Sequence, residues 1–138
     1  MTKNQISRCE KIYDKNKSSY RKVTMMAFLF KGNSLLNYGI NSDKTDPIQN
    51  MYRNKAHIHI GKYDYLDKLH AEICCLKPYI DDKKINFNNL TLLILSKRKD
   101  RSYRDSKPCK VCREAIEDLG IGTVCYFYKG RFITEKKI

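Results

Sequence analysis

Pro108-Cys109-Lys110-Val111-Cys112, read together with His70-Ala71-Glu72 upstream, is the stretch around which the rest of the chain falls into order. Two cysteines three apart lie side by side on one helical face. A proline just before the first of them suits the opening turn of a helix, where its missing N–H costs nothing. Cys109 and Cys112 are therefore predicted at a helix N-terminus, where the positive end of the dipole favours thiolates. Two thiolates and one imidazole suit a soft divalent metal such as zinc, with a fourth position left for water. His70 is the imidazole the pattern points to.

Glu72 has a separate part. Residues two apart on a regular helix point roughly 200° away from each other, so Glu72 is not expected to stack beside His70 as a fourth ligand. A carboxylate that reaches water at the metal can take a proton from it and pass the proton to a substrate. The pattern H-x-E…P-C-x-x-C is the signature of zinc-dependent nucleobase deaminases.

On these residues the sequence resembles the cytidine/deoxycytidylate deaminase superfamily, and more closely its small phage and bacterial members. The resemblance runs from Asn41 through Leu69-His70-Ala71-Glu72 to Ser106-Lys107-Pro108-Cys109 and Gly120-Ile121. It implies a three-layer α/β fold: a five-stranded mixed sheet with helices on both faces. It implies Zn²⁺ held by His70, Cys109 and Cys112, with Glu72 as the catalytic proton carrier. It also implies that Asn41 lies against the substrate sugar, that the Ala71 backbone N–H helps hold the base, and that Ser106 belongs to the substrate-binding set. Relatives assemble as dimers or tetramers, so a homo-oligomer is expected. One departure stands out: 35 residues separate Glu72 from Pro108, more than is usual in the superfamily. The excess falls in the polar linker 81–89 and a basic loop before Pro108.

The 138 residues make one domain, 1–138, long enough for a real core. A hydrophobic fraction of 41% with 10 Tyr and 5 Phe argues for a folded chain. No apolar run approaches the ~20 residues of a membrane span, and the first residues lack the apolar block of a signal peptide. A cytoplasmic protein is expected. The six cysteines then belong to a reducing compartment, with Cys9, Cys74, Cys75 and Cys125 as small core residues. Lys and Arg number 28 against 15 Asp and Glu, a net charge of +13. Such a field attracts polyanions and phosphorylated small molecules alike. AT-rich coding produces a similar excess of lysine.

Along the chain, residues 4–18 read as a helix with Ile6, Cys9, Ile12 and Tyr13 on one face. Val23–Phe30 is apolar on both faces, as a central strand should be. A turn at 31–34 returns the chain through Leu35–Ile40, making a hairpin. Residues 41–66 read as a long connection without structure of its own. Within it, His57 and His59 share a face at strand spacing and suggest a second metal. Tyr63 and Tyr65 suit base stacking or packing. Asp67 is a credible cap for the helix carrying His70, which Pro78 should end. Leu90–Leu95 is a second buried strand, and the helix-then-strand order suggests a parallel centre. Loop 97–107 carries Lys97, Arg98, Lys99, Arg101, Arg104 and Lys107 and runs straight into Pro108, so it is expected to meet phosphate, with Tyr103 as a stacking face. A helix from Cys109 stops at Gly120, and strand 123–128 turns at Lys129-Gly130 into a last strand from Arg131 to Thr134. Too few residues remain after Tyr128 for a crossover, so the last two strands should be antiparallel.

The reading with most support is hydrolytic deamination of cytosine in a free nucleoside or nucleotide. Set against it are a deaminase of cytosine or adenine in tRNA or single-stranded DNA, a non-catalytic nucleic-acid-binding relative, a closed structural zinc site and a redox CxxC.

Overall fold

A computed structural model describes residues 1–17, 23–56 and 68–137. The chain begins with α1 (Lys3–Asn16). Thr2 caps it through a reciprocal pair with Gln5, each side chain bonding the other's backbone N–H. Then come β1 (Met25–Lys31), β2 (Ser34–Ile40), α2 (Pro47–Lys55), α3 (Ala71–Leu76), β3 (Leu90–Ser96), α4 (Lys110–Leu119), β4 (Thr123–Tyr128) and β5 (Arg131–Lys136). The five strands form one sheet in the order β2-β1-β3-β4-β5.

The apolar runs of β1 and β3 follow from their central places, with helices covering both faces. Ala27, Leu29, Leu92, Ile94, Val124 and Tyr126 face one way and pack with Ala71, Leu76 and Ile116 of α3 and α4. Met26, Phe28, Phe30, Leu93, Leu95 and Cys125 face the other way, onto Cys9 and Tyr13 of α1. The expected five-stranded mixed sheet with helices on both faces is thus the observed one. As expected, β4 and β5 are antiparallel. Their two-residue turn places Lys129 and Gly130 at φ 50° and 85°, the left-handed pair that a tight hairpin demands. Glu135 of β5 accepts a 2.7 Å hydrogen bond from Arg113 and another from the Tyr126 hydroxyl, tying the edge strand to α4.

Three expectations need correction. The sheet centre is not parallel throughout: β3 pairs parallel with β4 but antiparallel with β1. The reason is topological, since β2 and β3 run the same way while β1, between them, is the hairpin partner of β2. The connection after β2 contains a helix, α2, capped by Asp46, whose carboxylate accepts from the N–H groups of Ile48 and Gln49, with Pro47 in the first turn. The helix after that connection starts later than expected, at Ala71, with His70 in an extended conformation at its cap position. Asp67, His57, His59, Tyr63 and Tyr65 lie outside the described residues.

Gly39 of β2 explains how closely α3 lies on the sheet. A Cβ there would stand 2.4 Å from the Cys75 nitrogen and 2.6 Å from the Ala71 oxygen. Only glycine leaves room for the backbone of α3 at this point.

Candidate active site

The site is assembled from helix starts. α4 runs antiparallel to the strand that follows it, so its N-terminus lies at the end of the sheet where β3 finishes. Cys109 is its cap residue, and its sulfur accepts the Cys112 N–H at 3.5 Å. At the start of α3, His70 turns Nδ1 toward both sulfurs, 3.4 Å from Cys109 Sγ and 3.4 Å from Cys112 Sγ. The three donor atoms all lie within 4.8 Å of one another. Tetrahedral zinc with bonds of ~2.0–2.3 Å requires donors about 3.5–3.8 Å apart, so the set is already near its metal-bound spacing. Two soft sulfurs and one imidazole nitrogen fit Zn²⁺. Among the described residues, no fourth side chain joins the cluster.

Because His70 stands before the helix rather than in it, the angular argument that turned Glu72 away from His70 does not apply. Glu72, one residue into α3, is buried and interacts with the Cys112 thiol. Its Oε1 is sealed from solvent and has no hydrogen-bond partner, an acceptor aimed at something the protein does not provide. Burial pushes the Glu72 carboxyl above the usual carboxylate range, and the neighbouring Cys109 sulfur adds to the effect. The Cys109 thiol is lowered to about 4, first by its hydrogen bond with the Cys112 thiol and then, against its burial, by His70. Burial drives Cys112 the other way. In the metal-free protein one sulfur thus carries the charge while the other keeps its proton. A divalent cation takes both as thiolates and compensates their charge.

A family model for the cytidine and deoxycytidylate deaminase zinc-binding region matches residues 2–128. The chain belongs to that family. The structure of the deaminase is similar to the crystal structure of a cytidine deaminase from Burkholderia pseudomallei, with a TM-score of 0.61 at 15% identity, covering 99% of this chain and 93% of the other. At that identity the likeness speaks for the fold. No curated protein sequence matches.

Other residues singled out from the sequence are engaged with backbone. The Asn41 side-chain amide donates to Val23 O and accepts from the Met25 N–H, each at 2.9 Å, and so ties the end of β2 to the start of β1. The Ser106 hydroxyl donates to Ile94 O at 2.8 Å and accepts the Phe127 N–H at 2.9 Å, bridging β3 and β4. Ala71 is the first residue of α3, so its N–H is one that the helix leaves unbonded.

The basic loop behaves differently from the expectation. Lys97 reaches Glu10 at 2.7 Å and Arg101 reaches Asp14 at 2.9 Å, both carboxylates on α1. Arg98 donates to the Tyr103 carbonyl. Tyr103 packs against Phe127 and Phe132 under the Lys97 ammonium. Long flexible cations found carboxylates on the nearest helix.

One residue was missed altogether. Gln49 of α2, fully buried, accepts the His70 backbone N–H at 3.1 Å through Oε1 and so fixes the backbone that carries the imidazole. Tyr52, one turn on, packs with Ile73, Val111 and Cys112 and donates to Asp118 at 2.9 Å. The signal for both was the helix itself, announced by Asp46-Pro47.

Proposed function

We propose that the deaminase hydrolyses the amino group of a cytosine base in a free nucleoside or nucleotide, giving uracil and ammonia. The observation that carries this reading is the unpartnered Oε1 of buried Glu72 beside the His70, Cys109 and Cys112 donor set. Zinc, when bound, supplies the Lewis acidity that makes water nucleophilic at neutral pH. Glu72 then does the proton work. Its carboxylate accepts the proton of the attacking water, delivers it to the ring nitrogen as C4 becomes tetrahedral, and next protonates the departing amine. A carboxyl raised by burial suits this shuttle, because it must both take and give a proton within one turnover. His70, Cys109 and Cys112 hold the metal; Gln49 keeps His70 in place. The Ala71 N–H is assigned to the base. Asn41 at the sugar and Ser106 at the substrate act, in this reading, through the strand ends they hold together.

The antiparallel β4–β5 ending supports a small substrate, because within the superfamily it is the free-nucleoside enzymes that share it. A second reading, deamination in tRNA or single-stranded DNA, draws on the net charge of +13. Ammonia release from cytidine, deoxycytidine, their monophosphates and a cytosine-containing oligonucleotide separates them. Turnover of a monomer supports the first reading, and turnover of the oligonucleotide alone replaces it with the second. The protein is further proposed to be a homo-oligomer and, with all six cysteines as free thiols, to reside in the cytoplasm. No described helix is long and apolar enough to cross a membrane.

A further inference from the structure

The helix that sequence reading missed also carries the most expensive polar group outside the metal site. Arg53 of α2 is 5% exposed, and its Nε is closed off from solvent with no hydrogen-bond partner. None of the ion pairs among the described residues includes it, whereas Arg101 and Arg113 each hold a carboxylate within 3 Å. Three residues earlier, the Asn50 Oδ1 is likewise buried and without a partner. Residues three and four apart are neighbours on a helix surface. Asn50 and Arg53 therefore adjoin each other, and Arg53 adjoins Gln49, whose Oε1 holds the His70 N–H. A buried guanidinium without an anion is costly, and one without even a neutral acceptor at Nε more so. The chain supplies no such partner here.

The chemistry of the pair narrows what does. A planar guanidinium fork matches the oxygens of a phosphate or carboxylate. A lone amide oxygen beside it asks for a donor such as a hydroxyl. A sugar phosphate brings both on neighbouring atoms. The basic loop, with Lys97 and Arg101 spent on α1, leaves that part open.

We propose that Arg53, with Asn50, is the receptor for the sugar-phosphate end of the substrate, and that the deaminase is selective for a nucleoside monophosphate over the nucleoside. This rests on the deaminase reading of the adjoining site. Arg53 donates to the phosphate oxygens and Asn50 accepts from a sugar hydroxyl. The charge that burial makes costly in the free protein is compensated when the phosphate arrives.

The test uses the zinc-loaded full chain, with deoxycytidine monophosphate, deoxycytidine and inorganic phosphate as probes. Thermal unfolding of the wild type should rise with the monophosphate and, more weakly, with phosphate. Arg53→Met should unfold no lower than wild type without ligand, because it removes an uncompensated charge, and should show no shift with either anion. The ratio of kcat/KM for the monophosphate to that for the nucleoside should fall roughly tenfold to a hundredfold, mainly through KM. Arg53→Lys keeps the charge without the fork; its ratio should fall less, and it decides the matter if the methionine variant does not fold. An undiminished thermal shift in Arg53→Met, or an unchanged ratio in Arg53→Lys, overturns the proposal. Cytidine turnover with an unchanged ratio would remove the receptor but leave the deaminase. A phosphate shift lost with Arg53, in a protein that deaminates no cytosine, would do the reverse.

Discussion

The start of α4 and the loop that leads into it are adjacent in the chain, and their charged and metal-binding groups turn to opposite faces of the sheet. At the helix start, Cys109 and Cys112 stand 3.4 Å from His70, brought together by short side chains on regular backbone. In the loop, Lys97 and Arg101 swing to Glu10 and Asp14 of α1. The difference is one of freedom. A cysteine has one side-chain torsion, so placing its Cα places its sulfur. A lysine or arginine has four and takes the nearest anion, so its position in the sequence says little about the group it meets.

The contrast yields predictions of very different size. Cys109→Ser should lose both zinc, by metal analysis, and all measurable deamination, because no described side chain stands ready to replace the sulfur. Gly39→Ala should destabilise the protein by about 1–3 kcal/mol in urea unfolding, since its Cβ would force α3 off β2, and it should weaken zinc retention by displacing His70. Lys97→Ala, whose side chain is 6% exposed, should cost about 1–3 kcal/mol. The more exposed Arg101→Ala should cost about 0–1 kcal/mol. Neither should alter ammonia release; a large loss of turnover in either would return the loop to the active site.

The smallest effect is a pH dependence. Although burial opposes it, hydrogen bonds from Lys77 and from the Ile48 and Gln49 N–H groups hold the Asp46 carboxyl below the usual range. Its contribution to stability is therefore complete above an unfolded pKa of about 3.9 and fades as pH falls through the lower folded value. Asp46→Asn keeps an N-cap side chain and removes that titration, so its melting temperature should decline less than that of wild type on acidification below about pH 4.

How far the sequence could be read follows the same division. β1 and β3 were visible as continuous apolar runs because both their faces are covered, and α4 was visible because its cap, periodic face and terminal Gly120 agree. The hairpin ending was legible from Lys129-Gly130. α2 was not, although Asp46-Pro47 is a helix-start signal, because the turn chemistry of residues 41–47 outweighed nine helical residues that follow it. The parallel centre was misjudged because helix-then-strand order fixes the direction of β3 but not which neighbour it pairs with. In the site, the ligand trio and Glu72 were readable from spacing. Gln49 and Arg53 were not, since nothing local marks a polar residue as buried.

The central claim is that Glu72 moves protons at a zinc site which His70, Cys109 and Cys112 build without it. The direct test is to purify Glu72→Ala, measure its zinc content beside wild type, and follow ammonia release from deoxycytidine and deoxycytidine monophosphate. The account predicts equal zinc and a loss of turnover of roughly 10²–10⁴-fold or more. A zinc-loaded Glu72→Ala protein that deaminates at the wild-type rate would contradict it.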